Sequence, residues 1–180
     1  MKYYWSDSHF NHEGILTLAS RPFRNLKEMT KTLIRNFNDV VSDDDVTYCV
    51  GDFAMARHYE LNIITRIFDQ LNGTHHLILG NHDEFKPFDY VRMGFKTVHT
   101  ALELDLNITN EEALYREEYK VILVHDPCVS CIDRNKIFIC GHIHDLFLIQ
   151  ENVINVGVEM WGFKPVSETE ITNLIDRIKK

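Results

Sequence analysis

Apolar residues fall into two recurring patterns along the chain. Short runs rich in β-branched and aromatic residues occupy positions 3–5, 46–50, 77–79, 121–124 and 137–140, each followed at once by polar or metal-binding residue types. Runs of that length and composition predict buried strands. Between the first two, Leu26, Met29, Leu33, Phe37 and Val40 recur at helical spacing, which predicts a helix packed on a sheet. Leu61, Ile64, Ile67, Phe68 and Leu71 repeat the signal ahead of Asn72-Gly73, a helix stop. Further on, Leu102, Leu104, Leu106 and Ile108 alternate with Glu103, Asp105 and Asn107, as a half-exposed strand should. The acidic stretch 110–118 reads as a loop or short surface helix. Ser167 and Glu170 then have the spacing of a capping box, and Ile171, Leu174, Ile175 and Ile178 form the apolar stripe of a docking helix.

Strands alternating with amphipathic helices predict an α/β domain. The 180 residues, 44% of them hydrophobic, suffice for one core, so residues 1–180 are expected to form a single domain. The first five residues already read as a strand rather than a secretory leader, and no apolar run approaches the roughly 20 residues of a membrane helix. A cytoplasmic protein without a membrane partner is the expectation. The net charge of −8 argues against tight nonspecific binding to nucleic acid, which relies on excess cations neutralising phosphates. Cys49, Cys128, Cys131 and Cys140 are expected as reduced thiols, since a core of this size needs no disulfides. Cys128 and Cys131 form one Cys-Xaa-Xaa-Cys pair without the second pair a structural zinc site requires; a packing role and a redox role stay open.

The chemistry is concentrated behind the predicted strands. They are followed in turn by Asp7-Ser8-His9, Gly51-Asp52, Gly80-Asn81-His82-Asp83, His125, and Gly141-His142-Ile143-His144. Open α/β sheets bind ligands beyond the carboxyl ends of their strands, so these loops should converge on one crevice. Imidazole nitrogens with carboxylate and amide oxygens suit divalent transition metals rather than Mg or Ca. Asp7 and His9, like His142 and His144, lie two apart, and on extended backbone each pair faces one side. The glycines before Asp52, Asn81 and His142 allow sharp turns and close approach to ions. Any one of these motifs alone arises by chance in turns; their ordered conjunction points to a metal site.

The ordered set from Asp7 to His144 resembles the calcineurin-like metallophosphoesterase superfamily. Ser6 to His12, Arg21-Pro22-Phe23, Asn155-Val156-Gly157 and Pro165-Val166-Ser167 look like its small single-domain branch in bacteria and phages. The resemblance implies a four-layer α/β/β/α sandwich of two mixed β-sheets flanked by helices. It implies two divalent transition-metal ions, manganese foremost, with Fe, Zn, Ni or Co as alternatives. Asp7, His9 and His144 would hold one and Asn81, His125 and His142 the other, with Asp52 bridging both. The implied reaction is hydrolysis of a small phosphodiester or nucleotide by a metal-bridging hydroxide. His82 would stabilise the transition state or protonate the leaving group, oriented by Asp83. His12 and Arg21 are candidates for contact with the phosphate; His12 reads equally as a surface or helix-start residue, and Arg21 as a salt-bridge or turn residue before Pro22. His58, His75, His76 and His99 read as ordinary histidines. Rival functions are a phosphomonoesterase, a nuclease, which would favour a basic surface that this composition lacks, and a non-catalytic scaffold, which would have no need of His82 beside a full ligand set.

Overall fold

The computed structural model describes residues 1–109, 116–128, 133 and 135–178. Two five-stranded mixed sheets face each other. The first contains β1 (Lys2–Trp5), β2 (Val46–Val50), β3 (Thr74–Ile78), β4 (Thr97–His99) and, at its other edge, the late strand β10 (Val166–Ser167), in the order β10-β1-β2-β3-β4. β1 to β4 run parallel and β10 pairs antiparallel with β1. The second contains β5 (Ala101–Thr109), β6 (Arg116–Val124), β7 (Ile137–Cys140), β8 (Ile149–Gln150) and β9 (Val153–Asn155), ordered β5-β6-β7-β9-β8. Here β6, β7 and β9 run parallel between antiparallel edge strands.

Side chains alternate across a strand, and the first sheet uses both faces. Trp5, Cys49 and Leu77 point to one side and pack with Met29, Leu33 and Phe37 of α2 (Leu26–Asn38), Ile64 and Phe68 of α3 (Leu61–Phe68), and Tyr90 and Met93 of α4 (Pro87–Met93). Tyr4, Tyr48, Val50 and Ile78 point to the other side and meet Leu106, Val121, Leu123, Ile139 and Ile154 of the second sheet. The helix α5 (Glu168–Ile178) adds Ile171, Leu174 and Ile175 to that inner cluster. The result is the expected α/β sandwich. Among the described residues, no helix is long and apolar enough to cross a membrane.

Local signals set several boundaries. Asn25 caps α2 by accepting from the Glu28 N–H at 2.9 Å, and the capping box expected at α5 forms, with Ser167 N donating to Glu170 Oε2 at 2.9 Å. Other expectations shift. α3 ends at Phe68, earlier than the Asn72-Gly73 stop, and Gly73 serves the turn into β3 at φ 102°. Residues 116–118, read with the acidic stretch as loop or surface helix, continue β6, because its ladder with β5 runs from Ala101↔Val124 to Thr109↔Arg116. Residues 110–115 and Cys131 lie outside the described residues, while Cys49 and Cys140 are buried thiols. His75 is buried: Thr47 Oγ1 lies 2.7 Å from its Nδ1, and its ring packs against Phe37 and Phe68.

The helix-covered cluster depends on its aromatic centre. Phe37 is 1% exposed, with its ring centroid 4.7 Å from that of Trp5. Phe37→Ala is expected to lower unfolding free energy by about 3–5 kcal/mol, read from the urea midpoint at unchanged slope.

Candidate metal centre

The loops behind β1, β2, β3, β6 and β7 do converge, but through tighter backbone than strand alternation supplies. Asp7, His9, Asp52, His142 and His144 all take positive φ, from 48° to 72°. This left-handed region is uncommon for residues with a Cβ and costs of order 1 kcal/mol or more each, so the surroundings must enforce it. The paired residues therefore share a site because of successive left-handed turns, not because extended backbone aims them alike. Cross-loop hydrogen bonds hold those turns: Asp7 N donates to Gly51 O at 3.1 Å, and His9 N to Asp52 O at 3.0 Å. The glycines leave room. A Cβ on Gly141 would lie 1.6 Å from Ser6 Oγ and 2.5 Å from Asp7 Oδ2, and one on Gly80 would lie 2.2 Å from Asp52 Oδ1.

Two clusters of donor atoms result, Asp7 with His9 and His144, and Asp52 with His125 and His142. Asn81 joins the second: its Oδ1 lies 2.9 Å from His142 Nδ1 and 3.2 Å from His125 Nε2. Asp52 lies between them, with Oδ2 3.5 Å from His9 Nε2 and 3.3 Å from His125 Nε2. The donors fit divalent metals in detail. His9 Nε2 is buried and makes no hydrogen bond. Burial, outweighing the Asp52 charge, holds the His9 imidazole neutral, its pKa depressed to about 2, so the ring offers a lone pair. His125 Nδ1 donates to Val50 O at 2.9 Å and His144 Nδ1 to Glu159 Oε1 at 2.9 Å, which turns each Nε2 toward the centre. Burial pushes the Asp52 carboxyl up, yet hydrogen bonds from His125 and the His82 N–H hold it down at about 2.

Supporting groups include one that the sequence reading missed and two whose expected roles change. Asp83 was expected to orient His82. Its buried carboxylate instead accepts from the N–H groups of Asp52 at 2.8 Å, Phe53 at 3.0 Å and Gly80 at 2.9 Å, and from Tyr90 Oη at 3.4 Å. It pins the Asp52 loop to the Asn81 loop. Arg21 was a candidate for phosphate contact, but its side chain is 0% exposed and fully engaged. It donates to the carbonyls of Asp7 and Ser8 and, at 2.6 and 2.9 Å, to Glu159 Oε1, so it braces the loop that carries Asp7 and His9. The salt-bridge alternative is the one realised. Glu159 carried no spacing signal, because it comes from the 3-10 turn Val158–Trp161 well beyond the His142-Ile143-His144 motif. Asn155 secures the same region, donating to His144 O at 2.7 Å and Phe147 O at 2.9 Å.

On the open side, His142 and Asn81 are exposed, and His12 and His82 are half-buried. His12 Nδ1 lies 3.3 Å from His9 Nδ1, and the His82 ring sits 5.3 Å from His9 and 5.8 Å from His12. Both can reach a group bound over the donor clusters. The His82 N–H donates to Asp52 Oδ1 at 2.9 Å, which fixes its backbone.

No protein-family model matches the chain. It is 33% identical to the uncharacterized protein MJ1445 of Methanocaldococcus jannaschii, over 98% of this chain and 92% of that protein. It is 26% identical to the gene 66 protein of Mycobacterium phage L5, over 98% and 94% of the two chains. The crystal structure of AQ665 from Aquifex aeolicus, a protein of unknown function, superposes with a TM-score of 0.70, covering 97% of this chain and 98% of that one at 24% identity. That likeness shows a shared fold. The chain belongs to the family of the archaeal protein MJ1445.

Two substitutions probe the centre. Gly141→Ala is expected to force Ser6 and Asp7 apart and abolish any rise in melting temperature on adding Mn, as followed by thermal scans with and without the ion. Asp83→Ala strands buried N–H donors of two loops and is expected to cost at least about 2 kcal/mol of unfolding free energy, measured in urea.

Proposed function

We propose that this protein is a metal-dependent phosphoesterase of the calcineurin-like superfamily, hydrolysing a small phosphodiester or nucleotide. The observation that carries the reading is the position of Asp52 Oδ2, within 3.5 Å of donor nitrogens from both clusters. Asp7, His9 and His144 would hold one divalent transition-metal ion and Asn81, His125 and His142 the other, with Asp52 shared. Such a pair supplies Lewis acidity that activates water and offsets charge on phosphoryl oxygens. A transition metal, manganese foremost, suits the mixed imidazole and oxygen donors.

The chain's own residues then have distinct duties. In hydrolysis water adds to phosphorus, the bond to the leaving oxygen breaks, and that oxygen takes up a proton. His82, half-buried with its ring 5.3 Å from that of His9, would deliver it. His12, beside His9 and His82, can hold a nonbridging phosphoryl oxygen. Asp83, Arg21 and Glu159 touch no substrate and keep the loops in register.

The test is a panel of metals against bis-p-nitrophenyl phosphate and p-nitrophenyl phosphate, run on the wild type and on His82→Ala. Mn is expected to support diester cleavage, and His82→Ala to keep Mn binding by calorimetry while losing at least about 100-fold in kcat. A wild type that cleaves neither ester with any metal would sink the reading; undiminished turnover in the variant would remove His82 from the reaction.

A further inference from the structure

The two donor clusters differ in charge, in contact with water and in how their side chains are held. Asp7 and His9, 0% and 1% exposed, place a carboxylate and an imidazole out of reach of solvent. Asn81 offers only a neutral amide oxygen, and both it and His142 are exposed. Asp52 stands between the clusters and does not distinguish them.

The larger difference lies behind the donors. Three N–H groups converge on one oxygen, Glu159 Oε1: Arg21 Nε at 2.9 Å, Arg21 Nη2 at 2.6 Å and His144 Nδ1 at 2.9 Å. Because Arg21 also donates to the carbonyls of Asp7 and Ser8, that oxygen joins the loop of Asp7 and His9 to the ring of His144. The turn that carries Glu159 is fastened to the same place by backbone: Ser6 bridges Gly157, and Val158 N donates to Ser6 O at 3.1 Å. Among the described residues the second cluster has no such clamp. His125 Nδ1 donates to the neutral carbonyl of Val50, and the His142 ring hydrogen-bonds to Asn81, a donor of its own cluster. Glu159 Oε2, meanwhile, is buried without a hydrogen-bond partner. A carboxylate left half-paired out of water is costly to the fold, whereas a metal-binding imidazole gains basicity and a fixed orientation from a carboxylate behind it.

We propose that Glu159 is a positioning residue that makes the two metal sites unequal. By joining Asp7, His9 and His144 in place before an ion arrives, it gives their site the tighter hold on a divalent cation. The site of Asn81, His125 and His142 is then the one whose ion exchanges with solution. This rests on the two-metal reading and adds to it an order of filling. Preassembly and ligand charge both raise affinity, the first because less ordering is left for binding to impose and the second by direct attraction. Arg21 offsets the Glu159 charge at long range, so the clamp and the hydrogen bond to His144 carry the effect.

Calorimetric titration of manganese chloride into the full chain, freed of metal by a chelator, tests this on the wild type, Glu159→Gln and His142→Ala. The wild type is expected to bind two ions with Kd values at least about tenfold apart. His142→Ala should lose the weaker event and keep the tighter. Glu159→Gln, which keeps an acceptor oxygen for Arg21 and His144 but not the charge, should weaken the tighter event about 10–100-fold and leave the other unchanged. A general loosening of the fold would weaken both events, so selectivity is the signature of positioning. Two equal events in the wild type, or loss of the tighter event in His142→Ala, overturn the inference and leave the two-metal reading standing. So does a Glu159→Gln that weakens neither event, both, or only the weaker. Should Glu159→Gln not fold, the wild type and His142→Ala still decide which site is tighter. No Mn bound by the wild type removes the two-metal reading and the inference together.

Discussion

The carboxylate of Asp52 is the point on which the centre turns. One oxygen faces His9 and His125, from opposite sheets, and the other accepts from the His82 N–H. A buried carboxylate in that position is costly unless it is charged for a purpose and surrounded by donors. Its neighbours meet that condition, since burial opposes its charge and hydrogen bonds more than offset the opposition. Everything nearby serves to keep this oxygen between two groups of nitrogen and oxygen donors.

The support is mostly backbone held by buried charge. Asp83 gathers N–H groups from both sides of Asp52, and Arg21 gathers carbonyls from the Asp7 loop while its partner Glu159 turns His144. Each is a charge taken out of water and held by hydrogen bonds, although those of Glu159 all go to Oε1 and leave its Oε2 buried without a partner, so the gain is rigidity more than net stability. Left-handed residues are the counterpart: strain in the ligand loops persists because these braces and the two-sheet core leave the chain no relaxed alternative.

Residues alone determined the α/β alternation, the strands at β1, β2, β3, β5, β6 and β7, the helices α2, α3 and α5, and the clustering of Asp, Asn and His behind strand ends, because hydrophobic periodicity and motif position are local properties. The short α4 and β4 escaped, since few apolar positions in a span that small leave a readable period. Only the tertiary structure decided what the supporting residues do. Arg21 looked like a hand for phosphate until burial enclosed it, Asp83 looked like a partner for His82 until its oxygens were found on the Asp52 loop, and Glu159 looked like nothing. Which partner a charged side chain meets depends on loops far apart in sequence, and spacing along the chain does not encode that meeting.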